Sequence, residues 1–455
     1  MAKICNEIKK FPEKGSFVKK GTTIIEAEPF VAVLNSSVRQ KRCDHCFKKC
    51  KVFRCSGCQY VHYCSRNCQK LAWHLHKVEC PNMKRVQPLE VPAMVRMLTR
   101  IIMKLKNGGA QEKGYYSGSE YRTFDDLMSH SNKIMADMEK MDRFTTVYTV
   151  LQQFIPNVVL PSPVEVLEIF GRMTINSFHV LNNQLRSIGV GIYLGPSIID
   201  HSCRPNTSTI FDGTKLYIRV VRDIPDFDWS KVSVPYIDVL KLVDERREEL
   251  QDSYFFWCNC ERCSNPEPAA SAASCPNKKC TNPCFPKDFK CTKCNELFPP
   301  NFQEDFELVK SQSRRKLEKL AKDMDHAAKL EISRMGLKEQ EGILHFHNML
   351  HVHMLERAAT AATELELWEE SEIYSKKVLQ QYQYYYGDSH PLTGKEHLTL
   401  AMVLLNCGKS EEAYNQMKKA SEVIKIAFGE NHPKMQEVER TAYAIQIENS
   451  QFKAG

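Results

Sequence analysis

The chain has 455 residues, of which 42% are hydrophobic, so its composition supports a sizeable core and excludes global disorder. A net charge of +8 is too mild at this length to indicate nucleic-acid binding by itself. No apolar run approaches the roughly 18 residues that a membrane span needs, and the first residues lack the apolar stretch of a secretory signal. We therefore expect a protein of the cytoplasm and nucleus, without membrane contact. Of its 19 cysteines, those that are clustered in the sequence are expected to bind metal instead of forming disulfides.

Residues 1–38 are expected to contribute short strands. Residues 22–27 are rich in β-branched side chains and lie between Gly21 and Pro29, a setting typical of a strand.

Residues 39–85 form the first cysteine-rich segment, which carries twelve Lys or Arg residues against two acids. Seven cysteines and one histidine follow the spacing C-x2-C-x8-C-x2-C-x5-C-x3-C-x7-H-x3-C. Eight such ligands can fill two closed tetrahedral zinc sites, and a segment this small cannot bury a core without metal. Against the alternative of free structural cysteines, we predict two zinc ions held by Cys43, Cys46, Cys55, Cys58, Cys64, Cys68, His76 and Cys80.

Residues 86–240 are expected to hold a helical insert followed by a β-rich core. Helical patterns extend over residues 92–185, and strand-like patterns follow over residues 188–238. The Asp212-Gly213 pair separates two β-rich runs, which predicts a hairpin turn.

Residues 241–300 contain two further cysteine groups. The first, C-x-C-x2-C at Cys258, Cys260 and Cys263, is one ligand short of a structural zinc site, and Cys203 is the candidate for the fourth. The second has five cysteines between Cys275 and Cys294, four of which would complete a ribbon-like site. The alternative for this second group is a cysteine-rich linker. We therefore expect three zinc ions, with a fourth open between Cys275 and Cys294.

Residues 301–455 carry an internal repeat. The segment Gly387-Asp-Ser-His-Pro391 recurs as Gly429-Glu-Asn-His-Pro433, and an acidic pair and a lysine pair recur with the same offset of 42 residues. A constant offset predicts helix-pair repeats of the tetratricopeptide (TPR) kind, in which Gly ends one helix and Pro begins the next.

The order of these parts resembles one protein family. Residues 197–206 are similar to the Asn-His-Ser-Cys-x-Pro-Asn signature of SET-domain lysine methyltransferases, and residues 236–238 to the Tyr-x-Asp motif that follows it. The first cysteine segment resembles a MYND finger, and C-x-C-x2-C resembles a post-SET zinc site. Nearly the whole chain is thus similar to the SET-and-MYND (SMYD) family of protein-lysine methyltransferases.

The resemblance implies an α+β multidomain fold. A split β-rich SET domain would contain an inserted MYND zinc finger, a post-SET zinc site and C-terminal all-α TPR-like helical repeats. The implied boundaries are 1–38 for the N-terminal part of the SET domain, 39–85 for the MYND finger, 86–240 for the helical insert and SET core, 241–300 for the post-SET region and 301–455 for the TPR-like domain.

The resemblance also implies how the first eight ligands divide. MYND ligand pairs interleave, so one ion would be held by Cys43, Cys46, Cys64 and Cys68, and the other by Cys55, Cys58, His76 and Cys80.

A SET domain binds S-adenosylmethionine on one face and the substrate lysine on the other, so the resemblance implies a methyltransferase. Methyl transfer to a neutral amine depends on alignment and a dry channel more than on a strong acid or base. Tyr236 matches the position that aligns the reacting groups, and Tyr254 and Phe256 would provide aromatic walls. The implied cofactor-binding residues are His130, Asn176, Asp200, His201, Tyr254 and Phe256. Taken singly, Asn176 and His130 are more typical of polar residues on helices, and the alternative for Tyr254 and Phe256 is that they are plain core aromatics.

Three departures from the family pattern keep a second hypothesis open. Residues 11–16 contain one glycine where the family has a Gly-x-Gly turn, residues 225–230 replace its Gly-Glu-Glu turn, and Asp200 replaces the signature Asn. The first hypothesis is a methyltransferase that acts on a lysine of a histone tail or a non-histone protein. The alternative is a catalytically weak or inactive adaptor that binds protein partners through the MYND finger and the repeats. Direct nucleic-acid binding is not expected from the basic residues of 39–85.

Overall fold

The computed structural model describes residues 11–454 of the chain. The fold divides into two units. The first is formed within Met1–His201, Pro205–Val234 and Gln251–Phe256, and the second within Ser202–Arg204, Pro235–Leu250 and Trp257–Gly455.

The strands of the described residues lie between residues 23 and 234, within the first unit. In chain order they are β1 (Thr23–Ala27), β2 (Val31–Leu34), β3 (Phe53–Arg54), β4 (His62–Tyr63), β5 (Gly114–Tyr115), β6 (Tyr121–Arg122), β7 (Ser177–Leu181), β8 (Ser187–Ile192), β9 (Asp200–His201), β10 (Thr207–Asp212), β11 (Lys215–Val220) and β12 (Ser233–Val234).

These strands form small sheets. Two antiparallel sheets have three strands each, in the orders β1-β11-β10 and β2-β8-β7. The strands β3-β4 and β5-β6 form two-stranded antiparallel pairs, and β12 runs parallel to β9. Because β9 and β12 are far apart in the chain, their pairing brings the signature segment beside residues 233–234. Asn206 fixes this arrangement, since its amide donates to the Lys231 carbonyl and accepts from the Ser233 N–H at 2.7 and 2.9 Å.

Helices occur in both units and make up the second unit beyond residue 301. In chain order they are α1 (Arg66–Val86), α2 (Ala93–Lys106), α3 (Ser131–Met135), α4 (Met138–Phe154), α5 (Pro163–Asn176), α6 (Val243–Tyr254), α7 (Glu261–Ser264), α8 (Phe302–Leu320), α9 (His326–Gln340), α10 (Met349–Glu364), α11 (Trp368–Tyr385), α12 (Pro391–Asn406), α13 (Ser410–Phe428) and α14 (Pro433–Ala454).

Helix α2 lies in the core of the first unit. Residues 95–102 are all buried, so the helix is enclosed on every side. Its apolar side chains join a cluster that includes Phe124, Leu151 and Val166. Two of the enclosed residues, Arg96 and Arg100, carry charges that need buried partners.

The second unit contains the predicted repeats. Pro391 and Pro433 are the first residues of α12 and α14, and Gly387 and Gly429 follow the ends of α11 and α13 with φ values of 86° and 93°. Small side chains allow close helix packing here, since a Cβ at Gly394 would lie 2.8 Å from the Val423 side chain. The C-terminal helical region and the mixed α+β character of the chain are therefore confirmed.

Several local predictions can be compared with the structure. The strand at residues 22–27 and the hairpin at Asp212-Gly213 are confirmed by β1 and by the β10–β11 pair, with Gly213 at φ 65°. Residues 92–185 are mostly helical as predicted, but the range also contains the strands β5, β6 and β7. Ser177–Leu181 becomes a strand because β8 supplies backbone partners, which a local pattern does not reveal. Among the described residues, no helix is long and apolar enough to cross a membrane.

Candidate functional site

The structure brings the eight finger ligands together in two groups of four. Cys43, Cys46, Cys64 and Cys68 form one group, and Cys55, Cys58, His76 and Cys80 form the other, with all ligand atoms of a group within 4.8 Å of one another. Neighbouring ligand atoms are 3.3–3.9 Å apart. Tetrahedral zinc with bonds of about 2.3 Å to sulfur would place them about 3.8 Å apart, so both groups fit the metal.

Two tight turns and one helix position these ligands. Phe47 and Gln59 directly follow the two C-x2-C pairs, and both have φ values near 58°. The N–H of each donates to the carbonyl of the first cysteine of its pair at 2.9 Å. This turn points both thiols of a pair to one side. Helix α1 begins after Ser65, whose hydroxyl accepts from the Cys68 N–H. His76 and Cys80 are four residues apart in that helix and therefore share one face.

A buried ion network surrounds the histidine of the second group. Arg96 and Arg100 of α2 both donate to Asp44 and Glu79, at distances of 2.6–3.3 Å. Glu79 in turn lies 3.4 Å from Nδ1 of His76. Burial alone would raise the pKa of the Glu79 carboxyl, but the two guanidinium groups hold that pKa well below its usual range.

This network is absent from the predictions made from the sequence. A usable signal was present, because Asp44 and Glu79 are the two acids of a segment with twelve basic residues, and each is next to a cysteine ligand. Two carboxylates and two guanidinium groups balance in charge, which allows all four to be buried. The network fixes His76 and joins the finger to α2.

A third group of four cysteines lies within the second unit. Cys203 meets Cys258, Cys260 and Cys263, with the sulfurs of Cys203 and Cys263 3.5 Å apart. Arg246 donates to the Cys263 sulfur at 3.7 Å, and its positive charge offsets thiolate charge.

Neighbouring arginines hold the backbone of the same ligands. Arg262 donates to the Cys203 carbonyl at 3.2 Å, and Arg247 donates to the Cys258 carbonyl at 3.0 Å. The distant Cys203 is therefore fixed beside the C-x-C-x2-C segment that the sequence pairs with it.

A fourth group consists of Cys275, Cys280, Cys291 and Cys294, again with all four sulfurs within 4.8 Å of one another. The fifth cysteine of this region, Cys284, is outside the group.

Four chain segments with predicted cofactor-binding residues meet in the first unit. The His201 ring lies 6.1 Å from the Phe256 ring, and the adjacent Phe255 ring lies 5.3 Å from His130. Asn176 then connects to the His130 segment, because its amide nitrogen donates to the Met128 carbonyl at 2.9 Å. The same nitrogen donates to the Arg172 carbonyl at 2.8 Å, so both amide hydrogens of Asn176 have partners within the protein.

Lysines hold the aromatic segment in place. Lys133 donates to the Phe255 carbonyl at 3.0 Å, and Lys140 forms an ion pair with Asp252 at 2.6 Å. Phe255 has a φ of 63°, a left-handed conformation that is unusual for an aromatic residue. Burial lowers the pKa of His130, so this ring is neutral near pH 7.

A cavity of about 370 Å³ lies beside this segment. Its lining combines methionines with polar groups, and includes Met94, Met173, Ser177, His179 and Tyr254. The mixture of apolar walls and a few polar atoms is typical of a ligand-binding cavity.

The remaining predicted residues occupy defined positions. Asp200 is exposed at the start of β9. Tyr236 is half-buried and follows β12 by two residues.

Residues 11–16 and 225–230, which stand where the family has glycine-containing turns, lie together in the first unit. Lys14 forms an ion pair with Asp228 at 2.9 Å. Both segments, together with Ile198 of the signature motif, line a second cavity of about 620 Å³.

Comparison with known proteins supports the same architecture. The profile of the MYND finger matches residues 43–80. The chain is 28% identical to human histone-lysine N-methyltransferase SMYD3 over 91% of this chain and 90% of that protein. It is 27% identical to histone-lysine N-methyltransferase ASHR1 of Arabidopsis thaliana over 95% and 94%, and 25% identical to N-lysine methyltransferase SMYD2-A of Danio rerio over 93% and 92%.

The match to residues 43–80 identifies a MYND finger in this chain. The similarity then continues across more than nine tenths of the chain and confirms its resemblance to the SET-and-MYND (SMYD) family.

Proposed function

We propose that this chain is an S-adenosylmethionine-dependent protein-lysine N-methyltransferase. One observation carries the proposal: four segments distant in sequence, around residues 130, 176, 201 and 254–256, meet in one place. Each contributes a residue that the family resemblance assigns to the cofactor.

The residues present suit such a cofactor. Aromatic faces attract a cationic sulfonium, and Tyr254 and Phe256 supply them. A carbonyl oxygen at Asn176 can accept from an ammonium group. When bound, the cofactor supplies the methyl group that is transferred.

The roles of the protein groups follow from the reaction. The substrate lysine must be neutral and aligned with the methyl group, which favours an apolar approach over a strong base. On the family resemblance alone, we assign the alignment to the Tyr236 hydroxyl. Tyr254 and Phe256 exclude water, and His201 supports Phe256 by ring contact.

Three structural zinc ions complete the proposed holoprotein. The finger would hold two, with the interleaved ligand sets of the MYND pattern, and the third would be held by Cys203, Cys258, Cys260 and Cys263. All ligands are Cys or His and no position is left open, which is the arrangement of structural zinc sites and not catalytic ones.

The substrate is proposed to be a lysine in a histone tail or a non-histone protein, in the cytoplasm or nucleus. Further protein partners would bind the MYND finger and the helical repeats. The domain boundaries implied by the family resemblance remain part of this proposal.

The second candidate is an adaptor with weak or absent catalysis. The ion pair between Lys14 and Asp228 favours it, because charged groups stand where the family has flexible glycine turns. Asp200 favours it as well, since a carboxylate repels the carboxylate of the cofactor.

Calorimetric titration of the zinc-loaded full chain with S-adenosylmethionine tests the proposal. The wild type should bind, and His201→Ala should bind at least tenfold more weakly. His326→Ala, at an exposed position on α9, is the matched control and should bind like the wild type. If the wild type does not bind, the adaptor is the better account.

A further inference from the structure

We propose that Cys275, Cys280, Cys291 and Cys294 hold a fourth structural zinc ion. The sequence left this region open between a metal site and a cysteine-rich linker, and the methyltransferase proposal does not require it. Three features of the structure favour the metal site.

The first feature is a turn that recurs at three places in the chain. Cys291 and Cys294 form a C-x2-C pair followed by Asn295, which has a φ of 60° and donates its N–H to the Cys291 carbonyl at 3.0 Å. Phe47 and Gln59 in the finger have the same conformation and the same bond, at 2.9 Å. The Cys291 N–H also donates to the backbone carbonyl of Glu296, five residues ahead. The Cys43 N–H donates in the same way to the backbone carbonyl of Lys48.

The second feature is the distance between the sulfurs. Cys275 and Cys294 are 3.4 Å apart, and Cys280 and Cys291 are 3.8 Å apart. A disulfide needs about 2.05 Å, whereas two thiolates on one tetrahedral zinc lie about 3.8 Å apart. Cys284 instead points its sulfur to the Asn282 carbonyl at 3.4 Å, so four of the five cysteines form the set.

The third feature is the electrostatic setting. The backbone N–H of Lys293 and the amide of Asn282 approach the Cys291 sulfur at 3.4 and 3.7 Å, as donors to a thiolate would. Residues 275–296 contain five lysines and two acids. Zinc with four thiolates has a net charge of −2, which this basic segment offsets.

The site has a structural consequence within the second unit. The Ser274 N–H donates to the Ile343 carbonyl at 2.9 Å, and the His345 N–H donates to the Ala272 carbonyl at 3.1 Å. Ala273 also pairs with Cys284. Residues 272–274 are thus joined to the connection between α9 and α10, and zinc at the adjacent cysteines would fix that attachment.

Native mass spectrometry of the purified full chain tests the proposal by counting zinc. We expect four ions in the wild type, three in Cys294→Ser and three in Cys280→Ser. Cys284→Ser is the matched control in the same segment and should retain four. A wild type with three ions, or a Cys294→Ser variant with the wild-type number, would overturn the proposal.

A second measurement uses the unmodified protein and does not depend on the folding of a variant. Native alkylation with iodoacetamide, mapped by peptide mass spectrometry, compares Cys280 and Cys294 with the exposed Cys50. We expect Cys280 and Cys294 to react at least tenfold more slowly than Cys50, and to react rapidly once a chelator is added. Rapid alkylation before chelation, or a disulfide between any two of the four, would contradict the zinc site.

Discussion

Replacement of Arg100 by methionine should destabilise the first unit more than any surface change. Arg100 is 5% exposed and donates to Glu79, to Asp44 and to the Ala32 carbonyl. Methionine has a similar length but no charge, so the substitution leaves two buried carboxylates with the single guanidinium of Arg96, and one negative charge is no longer balanced.

The magnitude follows from the burial of the network. Arg96, Asp44 and Glu79 are at most 2% exposed, so water cannot replace the lost guanidinium. Removal of one partner from such a network costs about 3–5 kcal/mol in the free energy of unfolding. With an m-value of about 2–3 kcal/mol/M in urea, the midpoint should fall by about 1–2.5 M. Zinc should also be released at lower urea, because Glu79 orients His76.

The assay is urea unfolding of the full chain, followed by circular dichroism and by zinc release to a coloured chelator. Arg186→Met, at an exposed position of the same unit, is the control and should change the free energy of unfolding by less than about 0.5 kcal/mol. If Arg100→Met lowers stability by no more than this control, the network does not hold the finger to α2.

Three further predictions concern other parts of the chain. Cys258→Ser should remove one zinc ion and leave the two of the finger, which elemental analysis after purification will count. Burial raises the pKa of Glu396 to about 7. Its carboxyl group therefore stays protonated in the folded chain at pH values where it is already ionised in the unfolded chain, in which its pKa is near 4.5. Stability should therefore fall as the pH rises from about 4.5 to 7, and Glu396→Gln should be more stable than the wild type at pH 8 by about 1–3 kcal/mol in thermal or urea unfolding, with no difference at pH 4. Asp200→Asn should tighten S-adenosylmethionine binding by roughly 1–2 kcal/mol in calorimetry, since it removes repulsion of the cofactor carboxylate, and weaker binding by this variant would show that Asp200 is placed wrongly.

The grouping of the cysteines into sets of four was the most predictable part of this molecule. Ligand spacing is local, so Cys43 and Cys46 could be grouped from the sequence, and the family resemblance supplied the interleaving. The fourth member of the Cys258 group, Cys203, is distant in the sequence. Its place in the signature motif made it the candidate. The choice among five cysteines at 275–294 was not predictable, because Cys284 differs from its neighbours only in the direction of its side chain.

The buried ion network and β7 were missed for a different reason. Both depend on elements that meet only in the folded chain. Residues 177–181 continue a helical pattern and change to a strand where β8 pairs with them. Arg96 and Arg100 resemble surface residues of an amphipathic helix until the finger covers them. Local periodicity carries no information on such coverage.

Transfer of a labelled methyl group tests the central claim most directly. The zinc-loaded full chain would be incubated with deuterated S-adenosylmethionine and a library of lysine-containing peptides and proteins, and methyl-lysine would be quantified by mass spectrometry. The proposed function predicts methyl-lysine with the wild type and at least tenfold less with Tyr236→Phe, while both proteins bind the cofactor with similar affinity. Equal methylation by the two proteins would contradict the role of Tyr236. Cofactor binding without methyl transfer to any substrate would contradict the enzyme itself.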